Sequence, residues 1–148
     1  MKKLEGWVTA PQGFIAAGVK AGIKASGNHD VAVIFSTVPA ACGAVFTQNK
    51  MCAAPVLVSR EVNKHGYAQA IAVNSGCANA CTGEQGLADA KKMQAHTAEL
   101  LGIAPEAVFV CSTGVIGQFL PMDKLLTGIA DAVDSLDECE GESCAMAI

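Results

Sequence analysis

Two helical stripes, each preceded by a short apolar strand, constrain this chain more than any other feature. Apolar residues recur with helical spacing over residues 82–101, and Gly102 is a typical C-terminal stop. We expect Thr82 to cap this helix. A second helix is predicted to begin near Pro121. Its apolar stripe consists of Met122, Leu126, Ile129, Val133 and Leu136.

Runs of β-branched and apolar residues predict the strands. The clearest runs are residues 31–35, 70–73 and 108–111, which have the composition of buried strands. Weaker signals predict three further strands, at residues 8–10, 43–47 and 55–59. Strands flanking two helices predict an α+β fold, with mixed β-sheets layered with helices. No internal repeat or Pro/Ser-rich linker divides the sequence, so we expect a single domain over residues 1–148.

Composition and charge limit the partners of this chain. Hydrophobic residues make up 51% and charged residues 16%, against about 25% charged in a typical soluble domain. We therefore expect some apolar surface to meet another chain. The net charge is −4 and the basic residues are scattered, so nucleic acid is not an expected partner.

Membrane insertion and secretion are not expected either. The longest uncharged stretch, residues 31–49, is interrupted by Ser36, Thr37 and Pro39, which argues against a membrane-spanning helix. At the amino terminus, Glu5 and Gly6 interrupt the apolar run that a signal peptide requires. The sequence therefore predicts a cytoplasmic protein.

Seven cysteines are spread along the chain without the tight spacing of a disulfide framework. Cys77 and Cys81 form only half of a zinc motif, because no matching Cys or His pair follows them. We therefore expect no bound metal, and we interpret all seven cysteines as reduced thiols acting as small apolar side chains. A non-catalytic thiol- or metal-binding module is kept as an alternative.

The sharpest chemical feature is a strand that ends in a turn containing hydroxyl groups and glycine. The strand runs into Ser112-Thr113-Gly114-Val115-Ile116-Gly117. Glycine permits unusual backbone angles and close approach, so amide N–H groups of such a turn can point outward and bind a developing oxyanion. Many Thr-Gly turns only terminate a strand. From the residues alone, both interpretations stay open.

The order and spacing of the motifs resemble the glutamate N-acetyltransferase (ornithine acetyltransferase) family of arginine biosynthesis. The resemblance rests on the turn at 112–117, on residues 74–86 (NSGCANACTGEQG) and on Leu120-Pro121-Met122. Earlier segments at residues 6–14, 43–47 and 53–56 also agree, so the resemblance covers nearly the whole chain. It implies the fold shared by this family and the self-processing aminopeptidases. One departure is Cys77, at a position where many family members have Asn.

The resemblance implies an acyltransferase that moves an acetyl group from N-acetylornithine to glutamate and releases ornithine. Thr113 and Gly114 would stabilise the oxyanion, Thr113 through its hydroxyl or amide and Gly114 through its backbone N–H. The resemblance assigns no substrate-binding residue in this chain. No cofactor is expected, and acetyl-CoA is left open as a second acetyl donor.

The resemblance also implies a partner. In this family the nucleophile is a threonine that becomes an N-terminus when the precursor cleaves itself at an Ala-Thr bond. No Ala-Thr dipeptide occurs in this sequence. We therefore expect the nucleophile on a separate β-chain, with this chain as an α-subunit fragment of an α2β2 heterotetramer. A subunit of a related self-processing aminopeptidase or amidase is the alternative within the same architecture.

Overall fold

A four-stranded mixed sheet organises residues 6–148, the part of the chain that this computed structural model describes. Strands β1 (Phe14–Val19), β2 (Val31–Ala41), β3 (Tyr67–Cys77) and β4 (Val108–Val115) lie side by side in chain order. β1, β2 and β3 pair antiparallel, whereas β4 pairs parallel to β3. The predicted α+β class and the mixed sheet are confirmed.

Helices cover the two faces of the sheet unequally. Helices α1 (Ala54–Asn63), α2 (Gly83–Leu101) and α3 (Met122–Asp134) pack on one face, where they enclose the main core. The short helix α4 (Gly141–Met146) packs on the opposite face against β1 and β2. Because side chains alternate along a strand, odd- and even-numbered residues of β3 and β4 face different layers. On the α4 face, the β3–β4 half of the sheet is the less covered half.

The long helix and its two neighbouring strands agree with the sequence prediction. α2 ends at Gly102, which adopts the left-handed conformation at φ 66° that favours glycine at a helix C-terminus. Thr82 occupies the N-cap position, but the prediction that it caps the helix is wrong. Its hydroxyl donates instead to Asn79 Oδ1 at 2.8 Å, which ties the helix start to the end of β3.

Three of the predicted strands are wrong. Residues 55–59 lie in α1, because the apolar spacing continues to Val62 and buries Ala54, Val58 and Val62 on one helical face. Residues 43–47 form no regular element. Residues 8–10 form a turn that is closed by a hydrogen bond from Ala10 N to Trp7 O.

The buried face of α3 is shifted by about one residue from the apolar face that the sequence predicted. The buried residues are Leu125, Gly128, Ile129 and Ala132, so only Ile129 of the predicted stripe is fully buried. A Cβ atom at Gly128 would lie 2.5 Å from Ala21 Cβ. The absence of a side chain at Gly128 therefore lets this face of the helix approach the sheet closely.

No helix within residues 6–148 is both long enough and apolar enough to cross a membrane. The prediction that there is no signal peptide depended on Glu5 and Gly6. Glu5 lies outside the described residues. The single-domain organisation stays a prediction.

Candidate active site at the end of strand β4

The Ser-Thr-Gly turn lies beside a second glycine-containing segment at the carboxyl ends of the two parallel strands. In the β3–β4 register, Ser75 is opposite Thr113 and Gly76 is opposite Gly114. Thr113 and Gly114 are both exposed, whereas Ser75 is buried. The predicted site residues are therefore accessible at the surface, as an oxyanion-binding role would require.

Close contact between the two strands explains why residue 114 is glycine. Gly114 has a φ of 130°, which L-residues rarely adopt. A Cβ atom at this position would lie 2.4 Å from the carbonyl carbon of Gly76 and 2.7 Å from Cys77 N. Gly76 is itself backed by Ile23 and Lys24, whose side chains lie 3.1 and 3.2 Å from the place of its missing Cβ. Gly114 thus packs directly on the backbone of Gly76, which itself packs against Ile23 and Lys24.

The hydrogen bonds of Val110 show which backbone groups of β4 point away from β3. Val110 N donates to Ser59 Oγ at 3.1 Å, and Val110 O accepts from the same hydroxyl at 2.8 Å. Val110 therefore turns its backbone groups away from β3. Because these groups alternate along a strand, Ser112 also faces away from β3, whereas Thr113 faces it.

This alternation decides between the hydroxyl and the backbone amide of Thr113 as the group that can reach a ligand. The Thr113 amide points toward β3, so its exposed hydroxyl is the group available to a ligand. In a trans peptide the N–H of Gly114 is opposite to the C=O of Thr113 and therefore points away from β3. A side-chain hydroxyl and a backbone N–H are thus available at adjacent residues. Both are donors of the kind that stabilise an oxyanion.

A cleft of about 660 Å³ lies along β4 and reaches Ser112, one residue before Thr113. Its walls come from the segment at residues 41–46, the start of α1, and β4 itself. Most lining residues are apolar or small, among them Ala44, Phe46 and Phe109. The cleft therefore favours an apolar occupant next to the Ser-Thr-Gly turn.

The polar residues of the 74–86 segment hold the turns together in this structure. Asn74 and Asn79 are completely buried. Asn74 Nδ2 donates to Cys77 O at 2.9 Å, and Asn79 Nδ2 donates to Gly86 O at 2.8 Å. These bonds brace the passage from β3 to α2, so the segment contributes to the site by positioning its backbone.

The cysteines divide into buried and exposed groups. Cys77 is buried, with its Sγ 3.4 Å from Gln118 O, and Cys144 is buried on the face of α4 that packs on the sheet. Cys111 is a free thiol and is exposed, so it does not contribute to the apolar core. Desolvation at the cleft nevertheless raises the pKa of the Cys111 thiol. Two further cysteines, Cys81 and Cys139, are also exposed.

A metal centre is not apparent in the described part of the chain. Within residues 6–148, no group of three or more His, Cys, Asp or Glu side chains is arranged to hold a metal ion. Cys77 and Cys81, which form half of a zinc motif in the sequence, differ in burial. Cys77 lies in the core and Cys81 lies at the surface.

The role of Ser59 at this site was not predicted from the sequence. The residue was predicted to lie in a strand, and only its place on the buried face of α1 brings its hydroxyl to Val110. Two buried side-chain oxygens without a hydrogen-bond partner, Asn74 Oδ1 and Ser112 Oγ, were not predicted either. Both lie at the carboxyl ends of the parallel strands, next to Thr113 and Gly114.

Comparison with known proteins identifies the family. The ArgJ family model matches residues 15–148. The chain belongs to the ArgJ family. It is 53% identical, over all 148 residues, to the arginine biosynthesis bifunctional protein ArgJ of Caldanaerobacter subterraneus subsp. tengcongensis, and spans 36% of that protein. It is 50% identical over 142 residues to ArgJ of Streptomyces coelicolor, and spans 37% of it. The predicted family is confirmed.

Solved structures of ArgJ-family proteins share the fold. The ornithine acetyltransferase of Mycobacterium tuberculosis, complexed with ornithine, has a TM-score of 0.93 and 47% identity over 96% of this chain and 78% of that chain. ArgJ of Bacillus halodurans has a TM-score of 0.89 and 43% identity, covering 97% of this chain and 75% of that chain. The resemblance to the ornithine acetyltransferase fold is confirmed.

Proposed function

We propose that this chain is the α-subunit part of a glutamate N-acetyltransferase in arginine biosynthesis, acting in the cytoplasm. The observation that carries the proposal is the exposed pair of donors at the end of β4, the Thr113 hydroxyl and the Gly114 N–H, in an ArgJ-family fold. In this proposal the enzyme takes the acetyl group from N-acetylornithine, releases ornithine, and passes the acetyl group to glutamate. Acetyl-CoA is a candidate second donor, and no cofactor is required.

The nucleophile is proposed to come from a separate β-chain. This chain spans 78% of the solved M. tuberculosis chain but only 36% of the Caldanaerobacter protein. The solved M. tuberculosis chain is therefore less than half as long as the Caldanaerobacter protein. This difference supports a family architecture in which a second polypeptide carries the remaining residues. An α2β2 assembly is the arrangement that we propose.

The proposed reaction has two acyl-transfer steps. The N-terminal threonine of the β-chain attacks the acetyl carbonyl, with its own α-amine as the base, and the tetrahedral oxyanion accepts hydrogen bonds from Thr113 and Gly114. Collapse of this intermediate expels the amine of ornithine and leaves an acetyl-enzyme. The amine of glutamate then attacks the acetyl-enzyme through a second oxyanion at the same two donors.

The test is acetyl exchange between N-acetylornithine and glutamate by the native α–β complex. Thr113→Ala is expected to lower kcat by about 10²- to 10³-fold, the typical effect of losing one oxyanion donor. Thr113→Ser, which keeps the hydroxyl, should recover most of the activity. Thr127→Ala, at an exposed position on α3, is the matched control. Near-normal turnover by Thr113→Ala would remove the oxyanion assignment.

The same assay tests the alternative of an aminopeptidase or amidase. That enzyme would release free acetate or an amino acid whether or not glutamate is present, whereas the transferase requires an amine acceptor. Membership of the ArgJ family favours the transferase.

A further inference from the structure

The free edge of β4 is protected along its first half and bare along its second half. β4 is the last strand of the sheet, so its outward backbone groups have no neighbouring strand within residues 6–148. Gln94 Nε2 donates to Val108 O at 3.0 Å, and the Ser59 hydroxyl bonds both Val110 N and Val110 O. Side chains from α1 and α2 thus replace a neighbouring strand as far as Val110.

The side-chain protection stops at Ser112. Among the described residues, the outward N–H and C=O of Ser112 and the N–H of Gly114 make no hydrogen bond. Ser112 Oγ is also buried without a partner, and Ser112 forms one end of the cleft along β4. An unprotected strand edge is a template for pairing with another extended chain. Proteins normally block such edges, as this one does at Val108 and Val110.

We propose that an extended segment of the companion polypeptide pairs with the β4 edge at Ser112 as a short fifth strand. Backbone groups of that segment would satisfy the Ser112 N–H and C=O, which is the usual chemistry of β-strand addition. The small and apolar walls of the cleft would receive its alternate side chains. The companion is favoured over a second copy because the Caldanaerobacter relative is more than twice as long as the solved M. tuberculosis chain, which is consistent with a second polypeptide in this family.

The proposal rests on the proposed function and adds how the companion reaches the site. Pairing that stops at Ser112 leaves the Gly114 N–H free for the oxyanion, about 7 Å further along the strand. The docked segment would therefore end beside the two donors. Exposed apolar residues follow Gly114 in the chain, with Ile116 66% and Phe119 63% exposed, as expected of a surface that another chain covers.

The first test uses Ser112→Pro in the native complex. Proline removes the outward N–H of Ser112, while the β3–β4 ladder keeps its bonds because the Ser112 amide is not part of it. We expect the complex to dissociate at least about tenfold more readily on dilution, measured by native mass spectrometry. Ser112→Ala keeps the N–H and removes only the hydroxyl, so it should weaken the complex much less. Equal dissociation of the two variants would overturn the proposal.

A second measurement keeps the proposal testable if Ser112→Pro does not fold. Amide hydrogen exchange of the wild-type complex, resolved to single residues, should show slow exchange at Ser112 and faster exchange at Gly114. Fast exchange at Ser112 would overturn the proposed pairing. A homodimer of this chain that Ser112→Pro abolishes would identify a second copy as the occupant and also overturn it.

The outcomes separate this proposal from the proposed function. If the oxyanion assignment fails, Thr113→Ala turns over normally while Ser112 stays protected in the complex. If the docking proposal fails, Ser112 exchanges freely while Thr113→Ala still loses activity.

Discussion

The contact between Gly76 and Gly114 predicts a specific loss of stability when a single methyl group is added. In Gly114→Ala the new Cβ would overlap the carbonyl carbon of Gly76 at 2.4 Å and Cys77 N at 2.7 Å. Both are backbone atoms, and the close packing of Ile23 and Lys24 around Gly76 restricts the movement that would relieve the overlap. The residue would also have to keep a φ near 130° that is unfavourable for alanine.

The backbone strain and the overlap each lower the free energy of unfolding, and their contributions can be measured separately. Backbone strain at such an angle costs about 1–3 kcal/mol, and forcing an extra methyl group into packed surroundings costs about 1–3 kcal/mol more. The matched control is Gly117→Ala, three residues further on. Gly117 has a φ of 80°, but a Cβ there meets nothing within 4 Å. The control therefore carries the strain of a positive φ, at a different angle, without the overlap.

Thermal unfolding of the two purified variants measures the difference. About 1–3 kcal/mol of overlap corresponds to a melting temperature roughly 2–12 °C lower for Gly114→Ala than for Gly117→Ala, at about 2–4 °C per kcal/mol for a domain of this size. Equal melting temperatures would refute the argument that contact with Gly76 requires glycine at position 114.

Two further predictions concern residues outside the site. Asp30 is fully buried, and its carboxylate accepts hydrogen bonds from the backbone N–H groups of Ala21, Ile23 and Lys24 at 2.6–2.8 Å. Asp30→Ala should therefore lower the free energy of unfolding by about 3–5 kcal/mol in urea titrations, since it leaves these donors unpaired, whereas Asp131→Ala at the surface should change it little. The pKa of the Cys139 thiol is raised by its hydrogen bond to Asp137 and by neighbouring carboxylates. Its alkylation by iodoacetamide near pH 8 should accelerate as the pH rises and in Asp137→Asn; an unchanged rate in that variant would contradict this cause.

The elements with a continuous pattern could be predicted from the sequence. α2 has apolar residues at helical spacing over a long segment that ends at a glycine, and β3 and β4 contain dense runs of β-branched or apolar residues. In these elements the local pattern and the tertiary structure agree. Residues 55–59 were predicted as a strand because Val56 and Val58 are β-branched, which favours strands. The helix there depends on burial of one face against β4 and α2, which is a property of the whole fold.

The sequence proposed site residues, but it could not predict their geometry. Thr113 and Gly114 came from a resemblance between motifs, and their oxyanion role stays a prediction. The sequence left the choice between the hydroxyl and the amide of Thr113 open. That choice depends on which backbone groups of β4 face β3, and this is visible only through the bonds between Ser59 and Val110.

The same geometry limits the direction from which a nucleophile can approach. The Gly114 N–H points off the free edge of β4, whereas the Thr113 side chain lies on the face opposite the layer of α1, α2 and α3. A carbonyl oxygen that accepts from both donors must therefore lie at the corner between this edge and this face. The helices α1–α3 close the other face of the sheet, while Cys111 and Thr113 are exposed at this corner. In the proposed reaction, the attacking group of the companion chain is therefore expected to approach at this corner, next to the unpaired outward groups of Ser112.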